Sequence, residues 1–218
     1  MAYPTIDKPY GLKPINLIGG QVFAGATRQL AIATNYAVSI FYGDVVTIVA
    51  GGTIEKDAGT TTATPCGVFL GCQYTSAVTG QLTFSQYYPA SLAVKSGTTI
   101  LAFVADDPDQ LFKVVLVAGT TADGNGLTPA FLGRTVIGSN AQLVQNTGST
   151  TTGDSTVGVY TAAGATTTAT LPIRIIDVVP DTANSSGNFC ELIVKFNAPN
   201  VTGQVVAGGH QYLNPTGV

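Results

Sequence analysis

Apolar and β-branched residues fall in short runs along the chain, and clusters of Gly, Pro, Asn and Ser separate these runs. Runs of this kind, bounded by turn residues, are typical of β-strands. Helix signals are nearly absent, apart from residues 128–132, where Thr128 fits an N-cap and Pro129 a first helical position. The pattern indicates an all-β protein of one or two small β-barrel or β-sandwich units. The nine predicted strands lie at residues 28–33, 45–49, 68–73, 82–88, 100–105, 111–117, 157–160, 173–179 and 189–196.

Two of the predicted strands show a strict alternation of side chains. In Leu82–Ser85 the apolar side chains are predicted on one face and the hydroxyl groups on the other. In residues 189–196 the even-numbered side chains from 190 onward are apolar, while Glu191 and Lys195 occupy the opposite face. Both segments therefore fit strands whose two faces meet different surroundings.

The first twenty residues are predicted to be an extended, proline-rich arm. Proline stands at positions 4, 9 and 14, which excludes both a helix and a central strand. The apolar residues between the prolines leave two alternatives: the arm packs along its own domain, or it reaches a neighbouring subunit. The residues predicted to contact other subunits or a capsid are Tyr3, Tyr10, Leu12, Ile15 and Tyr212.

A weak internal repeat divides the rest of the chain. Residues 60–65 and 166–172 are threonine-rich stretches with a proline, and each leads into an apolar strand, a polar turn and an alternating strand. Chance similarity between such low-complexity stretches is the alternative. The repeat predicts a first β unit at residues 21–122 and a second at residues 123–218, after the arm at residues 1–20.

Charge is scarce in this chain. Charged residues make up 10% of it, against roughly a quarter in an ordinary soluble domain, and the formal net charge is −3. Nine basic residues against twelve acidic ones exclude the electrostatic footprint of a typical nucleic-acid binder. No apolar run approaches the roughly 18 residues of a membrane span, and the first residues lack the order of a secretory signal. We therefore expect a protein that is made in a cytoplasm and covers much of its surface with protein partners.

Few residues are candidates for chemistry. His210 is the single histidine, and the three cysteines lack metal-ligand spacing and are interpreted as small buried apolar residues. The acidic cluster Asp106, Asp107 and Asp109 fits either a calcium-binding loop or, as we favour, a turn between two strands. We predict no catalytic residues, no cofactor and no metal.

Two alternatives involve glycans. A hydrolase would need a carboxylate pair, for which Asp106 and Asp177 are possible members, although Asp177 also fits an ion pair with Arg174 or a subunit interface. A carbohydrate-binding module would use Tyr87 and Tyr88, but adjacent residues of a strand point to opposite faces, which argues against one platform.

Three segments carry a resemblance to a known family: YGLKPINLIGG at residues 10–20, FYGDVV at 41–46 and FVADDPD at 103–109. Together they resemble small structural proteins of tailed bacteriophages, and are most similar to those of marine and cyanobacterial phages. The resemblance implies a virion component. At this size and composition it implies a capsid decoration or cement protein rather than a major capsid protein, and it identifies no functional residues one by one.

The expected function is therefore that of a non-enzymatic decoration or cement protein, which binds the major capsid protein on the surface of the assembled phage head and stabilises the head. We expect a homo-oligomer that is synthesised in the host cytoplasm and located in the virion; a trimer is favoured as a common arrangement of such proteins, although nothing in the sequence selects this symmetry. It is expected to bind neither nucleic acid nor membrane. The alternatives are another virion component, such as a head fibre base or a tail protein, and a carbohydrate-binding or glycan-hydrolysing β protein.

Overall fold

In a computed structural model, the structure describes residues 6–119, 130, 133–161, 167–168, 170–182 and 189–197. These residues form twelve β-strands and one short 3-10 helix at Arg134–Val136, so the all-β fold class is confirmed. The strands are β1 (Lys13–Leu17), β2 (Arg28–Ile32), β3 (Val45–Ile48), β4 (Ile54–Lys56), β5 (Gly67–Thr75), β6 (Leu82–Ser85), β7 (Ile100–Ala105), β8 (Gln110–Val115), β9 (Asn140–Val144), β10 (Gly158–Tyr160), β11 (Ile173–Val178) and β12 (Glu191–Phe196).

Each of the nine predicted strands overlaps an observed strand, although the one predicted at residues 82–88 ends at Ser85, whereas β1, β4 and β9 were not predicted. β1 contains a proline, β4 has only three residues, and β9 includes Asn140 and Gln142, so none of the three shows a strong strand pattern. The helix predicted at residues 128–132 lies outside the described residues, except for Ala130.

One six-stranded sheet has the order β3-β4-β2-β7-β5-β6, and an additional pairing joins β3 to β5. Strands β3, β4, β2, β7 and β5 therefore form a closed ring, which we call the N-terminal barrel, and β6 extends it along β5. The interior of this barrel is apolar and includes Ile32, Val46, Ile54, Phe69 and Ile100.

The other six-stranded sheet has the order β1-β8-β12-β11-β9-β10. A parallel bridge between Leu116 and Val159 brings β10 back to the end of β8, so β8 to β12 close into a second ring, the C-terminal barrel. Its interior includes Phe112, Leu143 and Ile175. Both barrels thus use a ring of five strands plus one appended strand, β6 in one and β1 in the other.

The strand grouping differs from the predicted units at residues 21–122 and 123–218. β8 pairs with β1 and β12, so it belongs to the C-terminal barrel, and the chain passes between barrels in the turn between Ala105 and Gln110. Both faces of β8 are buried: Val114 lies in the main core cluster and Val115 in a second one. Hydrophobic content alone did not show which barrel would bury this strand.

The N-terminal segment also differs from a separate arm at residues 1–20. In its described part, Lys13–Leu17 pairs with β8, and Asn16 bridges to Val22, so the segment is a strand of the C-terminal barrel. Pro14 is tolerated because a strand near the edge of a sheet can lack a donor. Of the two alternatives for the arm, these residues follow the first, because they pack along a domain of their own chain.

The two halves of the weak repeat both form antiparallel hairpins, β5 with β6 and β11 with β12. Their positions in the sheets differ, since β6 ends its sheet whereas β12 lies between β8 and β11. A common origin of the two halves stays a prediction.

Candidate functional site

Three of the six large apolar side chains that are exposed among the described residues lie in β6 or in the turn before it. Leu82 is 59% exposed and Phe84 66% exposed, and Val78, in the turn before the strand, is 93% exposed. The alternation predicted for Leu82–Ser85 is present, and its apolar side faces outward. Single exposed apolar residues are ordinary on proteins, but a group of them on one strand and its turn is typical of an interaction surface.

The apolar surface continues from β6 across the sheet. Phe84 faces Gln73 of β5, which in turn faces Leu101 of β7. The ring of Phe84 stacks on that of Phe103 in β7, with centroids 6.3 Å apart and planes at 12°. We call Val78, Leu82, Phe84 and Phe103 the β6 surface.

Three of the four residues of the β6 surface, Val78, Leu82 and Phe84, lie in the least charged part of the chain. No Asp, Glu, Lys or Arg occurs between residues 58 and 94, which include all of β5 and β6. Edge strands of soluble proteins are normally protected from pairing by charged side chains, proline or bulges. The overall scarcity of charge does not by itself indicate a site, whereas this uneven distribution along the chain is a sequence signal that points to β6.

Tyr10, one of the predicted contact residues, is instead committed to contacts within the chain. Its hydroxyl donates a hydrogen bond to the carboxylate of Glu191, which also pairs with Lys113 at 3.0 Å. The ammonium group of Lys13 lies 4.6 Å from the centre of the tyrosine ring. Burial raises the pKa of Tyr10, and the hydrogen bond and the negative charge of Glu191 raise it further. The residue therefore fastens the N-terminal segment to β8 and β12.

The other predicted contact residues do not form one surface either. Leu12 is fully buried in the main core cluster, so the prediction that it contacts a partner is wrong for this conformation. Leu12 immediately precedes β1, and because β1 pairs with β8 of the C-terminal barrel, the Leu12 side chain packs into the main core cluster. Ile15 is half-buried, and its carbonyl accepts a hydrogen bond from the Phe23 amide. Tyr3 and Tyr212 lie outside the described residues, as does His210.

The acidic cluster forms the predicted turn. Asp107 accepts a hydrogen bond from the amide of Asp109 at 2.8 Å, an arrangement typical of turns. Asp106 pairs with Arg28, and Asp109 pairs with Lys195 at 2.9 Å. Among the described residues no group of three or more His, Cys, Asp or Glu side chains is arranged to hold a metal ion.

Arg174 and Asp177 do not pair with each other. Asp177 lies 3.4 Å from Arg134, and the buried guanidinium of Arg174 donates to the side-chain oxygen of Asn140 at 2.5 Å. The pairing register of β11 with β12 shifts between residues 175 and 177, which changes the spacing of the two side chains. Desolvation lowers the pKa of Arg174.

The adjacent tyrosines 87 and 88 have different surroundings, although both follow β6, which ends at Ser85, and do not lie within a strand as predicted. Tyr88 is fully buried and its hydroxyl donates to the carbonyl of Tyr36 at 2.9 Å. The ring of Tyr87 stacks on Phe41 with centroids 5.4 Å apart. These two rings therefore do not form a single platform for a sugar.

The cysteine thiols are poor nucleophiles. Cys72 and Cys190 are buried and Cys66 is half-buried. Burial raises the pKa of Cys66 to about 11 and that of Cys72 to about 12, so very little thiolate is present at neutral pH.

A buried polar cluster joins the two barrels. Asp44, which is fully buried, pairs with Lys56 at 3.0 Å and accepts a hydrogen bond from the hydroxyl of Ser155 at 2.7 Å. Lys56 also donates to the carbonyl of Asn146 at 2.9 Å. Asp44 and Lys56 precede and end strands of the N-terminal barrel, while Ser155 and Asn146 lie between β9 and β10. Sequence reasoning missed this cluster because its members are 90 residues or more apart across the junction.

A cleft of about 810 Å³ lies beside this junction. Tyr36, Val38 and Phe41 line one side, and Lys56 and Gln145 contribute polar groups. The side-chain oxygen of Gln145 is buried without a hydrogen-bond partner among the described residues, and its nitrogen donates to the carbonyl of Gly59. Glu55 and Lys56 are the charged residues of the cleft lining, and the ammonium group of Lys56 is already paired with Asp44 of the junction.

Comparison of the chain with protein-family models, with curated proteins and with solved structures finds no match in any of the three. The described residues contain no helix of the length and apolar character that a membrane crossing requires.

Proposed function

We propose that this chain is a non-enzymatic structural protein of a tailed bacteriophage, a decoration or cement protein that binds the major capsid protein on the outside of the assembled head. The observation that carries the proposal is the β6 surface, in which the exposed apolar side chains of Val78, Leu82 and Phe84 lie within a stretch that lacks charge. This surface supports a role in protein contacts rather than in chemistry. The sequence resemblance to phage structural proteins supplies the kind of assembly.

The stabilising effect of such a protein follows from linkage. A protein that binds the assembled lattice but not free capsid subunits shifts the equilibrium toward the assembled shell. Each contact can be modest: burying the exposed parts of Leu82 and Phe84 contributes on the order of 1–2 kcal/mol per side chain. Many copies on one shell act together. The proposed location is the capsid surface, after synthesis in the host cytoplasm.

The proposal is tested by binding of the purified protein to phage heads that have been separated from tails and stripped of the protein. We expect stoichiometric binding of the wild type and at least a tenfold weaker binding of Phe84→Ser, since tenfold corresponds to about 1.4 kcal/mol. Val22→Ser is the matched control, because Val22 is 76% exposed but lies in the segment after β1 that bridges to Asn16, outside the β6 surface.

Equal binding of the wild type and Phe84→Ser would contradict the role of the β6 surface. Imaging of the intact virion separates the decoration protein from its nearest alternative: density for the protein at the tail or at the base of a head fibre, and none over the head lattice, would overturn the proposed location.

A further inference from the structure

β6 differs from the other described strands in having a strand partner on one side only. The strands of the two barrels each have neighbours on both sides. The outer side of β1 is covered as well, because Asn16 bridges to Val22 and the amide of Phe23 donates to the carbonyl of Ile15 at 3.2 Å. Within the described part of the chain, β6 is therefore the one strand with no partner anywhere along its outer side, whereas β2, for example, meets β4 at Ile32.

The pairing of β6 with β5 determines which backbone groups are available on that edge. Thr75 faces Leu82 across the two strands, but its carbonyl accepts a hydrogen bond from Lys95 on the opposite side of β5. Hydrogen-bonded and non-hydrogen-bonded pairs alternate in an antiparallel ladder, so Leu82 and Phe84 both belong to pairs that do not bond to β5. Their amide and carbonyl groups point outward, away from the sheet.

The edge is also compatible with a copy of itself. In a symmetric pair of edges each side chain meets its own counterpart or a close neighbour, so any charge near the axis would face a like charge. β6 and the turn before it contain no charged residue, and the nearest one along the chain is Lys95. The exposed side chains on this edge, Leu82 and Phe84, are apolar and favour burial.

We propose that two copies of this chain associate edge to edge through β6, as antiparallel strands related by a two-fold axis at Thr83. Leu82 then lies opposite Phe84 of the partner subunit, and Thr83 lies opposite its own symmetry copy. Leu82 and Phe84 are the residues whose backbone groups point outward, so each such pair exchanges two hydrogen bonds. A register shifted by one residue is excluded, because it would place the outward side chain of Phe84 opposite an inward one.

The symmetry has a consequence for the β6 surface. A two-fold axis perpendicular to the sheet keeps the outer faces of both copies on the same side. Phe84 and Phe103 of one subunit therefore join the same residues of the other subunit in one apolar surface that faces a single direction. This inference does not rest on the proposed role in a phage head. It proposes a two-fold contact between copies in place of the trimer that the sequence analysis expected.

The test uses opposite charges at the axis. Thr83→Lys and Thr83→Glu each place like charges opposite one another in the proposed dimer, and we expect each variant alone to show at least a tenfold higher dimer dissociation constant than the wild type, by sedimentation equilibrium at low salt. An equimolar mixture of the two variants is expected to restore the dimer as a heterodimer. Thr62→Lys, at an exposed threonine in the same uncharged stretch, is the matched control and should leave the constant unchanged.

A second variant tests the register without changing charge. In a non-hydrogen-bonded antiparallel pair the Cα atoms are about 4.5 Å apart, within the range for a disulfide. Thr83→Cys is therefore expected to form a covalent dimer on mild oxidation, whereas Thr62→Cys stays monomeric on a non-reducing gel.

Three results would overturn the proposal: a wild type that is monomeric at concentrations of roughly 0.1 mM, a trimer that Thr83→Lys leaves intact, or folded variants whose mixture associates no better than each alone. Dimerisation in solution together with failure to bind phage heads would support this inference while contradicting the proposed function, so the two are tested separately.

Discussion

Replacement of Asp44 by alanine is expected to weaken the junction between the two barrels. The carboxylate is fully buried, lies 3.0 Å from the ammonium group of Lys56 and accepts hydrogen bonds from the Phe41 amide at 2.9 Å and the Ser155 hydroxyl at 2.7 Å. Its removal leaves a nearly buried lysine charge without its carboxylate and leaves two donors without their acceptor.

The size of the effect follows from the geometry of this cluster. Removing one partner of a buried ion pair costs about 3–5 kcal/mol, because the remaining charge is uncompensated. Lys56 keeps one acceptor, the carbonyl of Asn146 at 2.9 Å, so we expect a loss near the lower end, about 3 kcal/mol. For a protein of this size that corresponds to a fall of roughly 6–12 °C in the unfolding midpoint.

The measurement is chemical denaturation followed by circular dichroism and tyrosine fluorescence. The double variant Asp44→Ala/Lys56→Met should recover part of the loss, because it removes the unpaired charge as well. Asp154→Ala is the control. Asp154 lies between β9 and β10, near Ser155, and its carboxylate is more exposed than that of Asp44, so its removal should cost less than about 1 kcal/mol. A free energy of unfolding for Asp44→Ala within about 1 kcal/mol of the wild type would refute the argument, and so would a double variant that loses the sum of the single effects.

Two further predictions concern packing and alkaline pH. Gly67→Ala is expected to lower the free energy of unfolding by about 2 kcal/mol or more, because an added Cβ would lie 2.6 Å from the backbone carbonyl oxygen of Ala105; Gly133→Ala, with open space around the added atom, should have little effect in the same denaturation experiment. The pKa of the Cys66 thiol, about 11, and that of Cys72, about 12, exceed the ordinary value of 9.0, so the folded state holds these protons more tightly than the unfolded state. The stability contributed by these two buried thiols is therefore fully present below pH 9, and it is lost as the pH rises from 9 toward 11 and 12. Cys72→Ala should reduce the slope of the free energy of unfolding against pH in this range, and an unchanged slope would contradict the assignment.

The strand content of this protein could be predicted from its sequence because it depends on local pattern. Runs such as residues 100–105 and 173–179 combine β-branched and apolar residues with flanking turn residues, and both are strands in the structure. The turn of Asp107 and Asp109 was predictable for the same reason, since a short side chain that bonds to the amide two residues later needs no distant partner.

The candidate site was less accessible to sequence reasoning. Four of the five predicted contact residues, all but Tyr212, belong to the N-terminal segment, yet Leu12 is buried in the core and Tyr10 is hydrogen-bonded to Glu191. An apolar residue near a chain terminus has the same sequence pattern whether it packs inward or outward. The stretch without charge from residue 58 to residue 94 was visible in the sequence and would have directed attention to Phe84.

The sequence by itself determined the all-β character, the positions of most strands and the low charge, because these properties depend on residue type and near neighbours. Only the tertiary structure decided that the strands close into two rings of five, that β8 belongs to the C-terminal barrel, and that the apolar face of β6 is exposed. Strand pairing joins residues far apart in the chain, as Lys13 with Lys113. Which face of a strand becomes interior depends on the strands that lie beside it. The alternation of apolar and polar residues along one strand is the same whether its apolar face is buried or exposed.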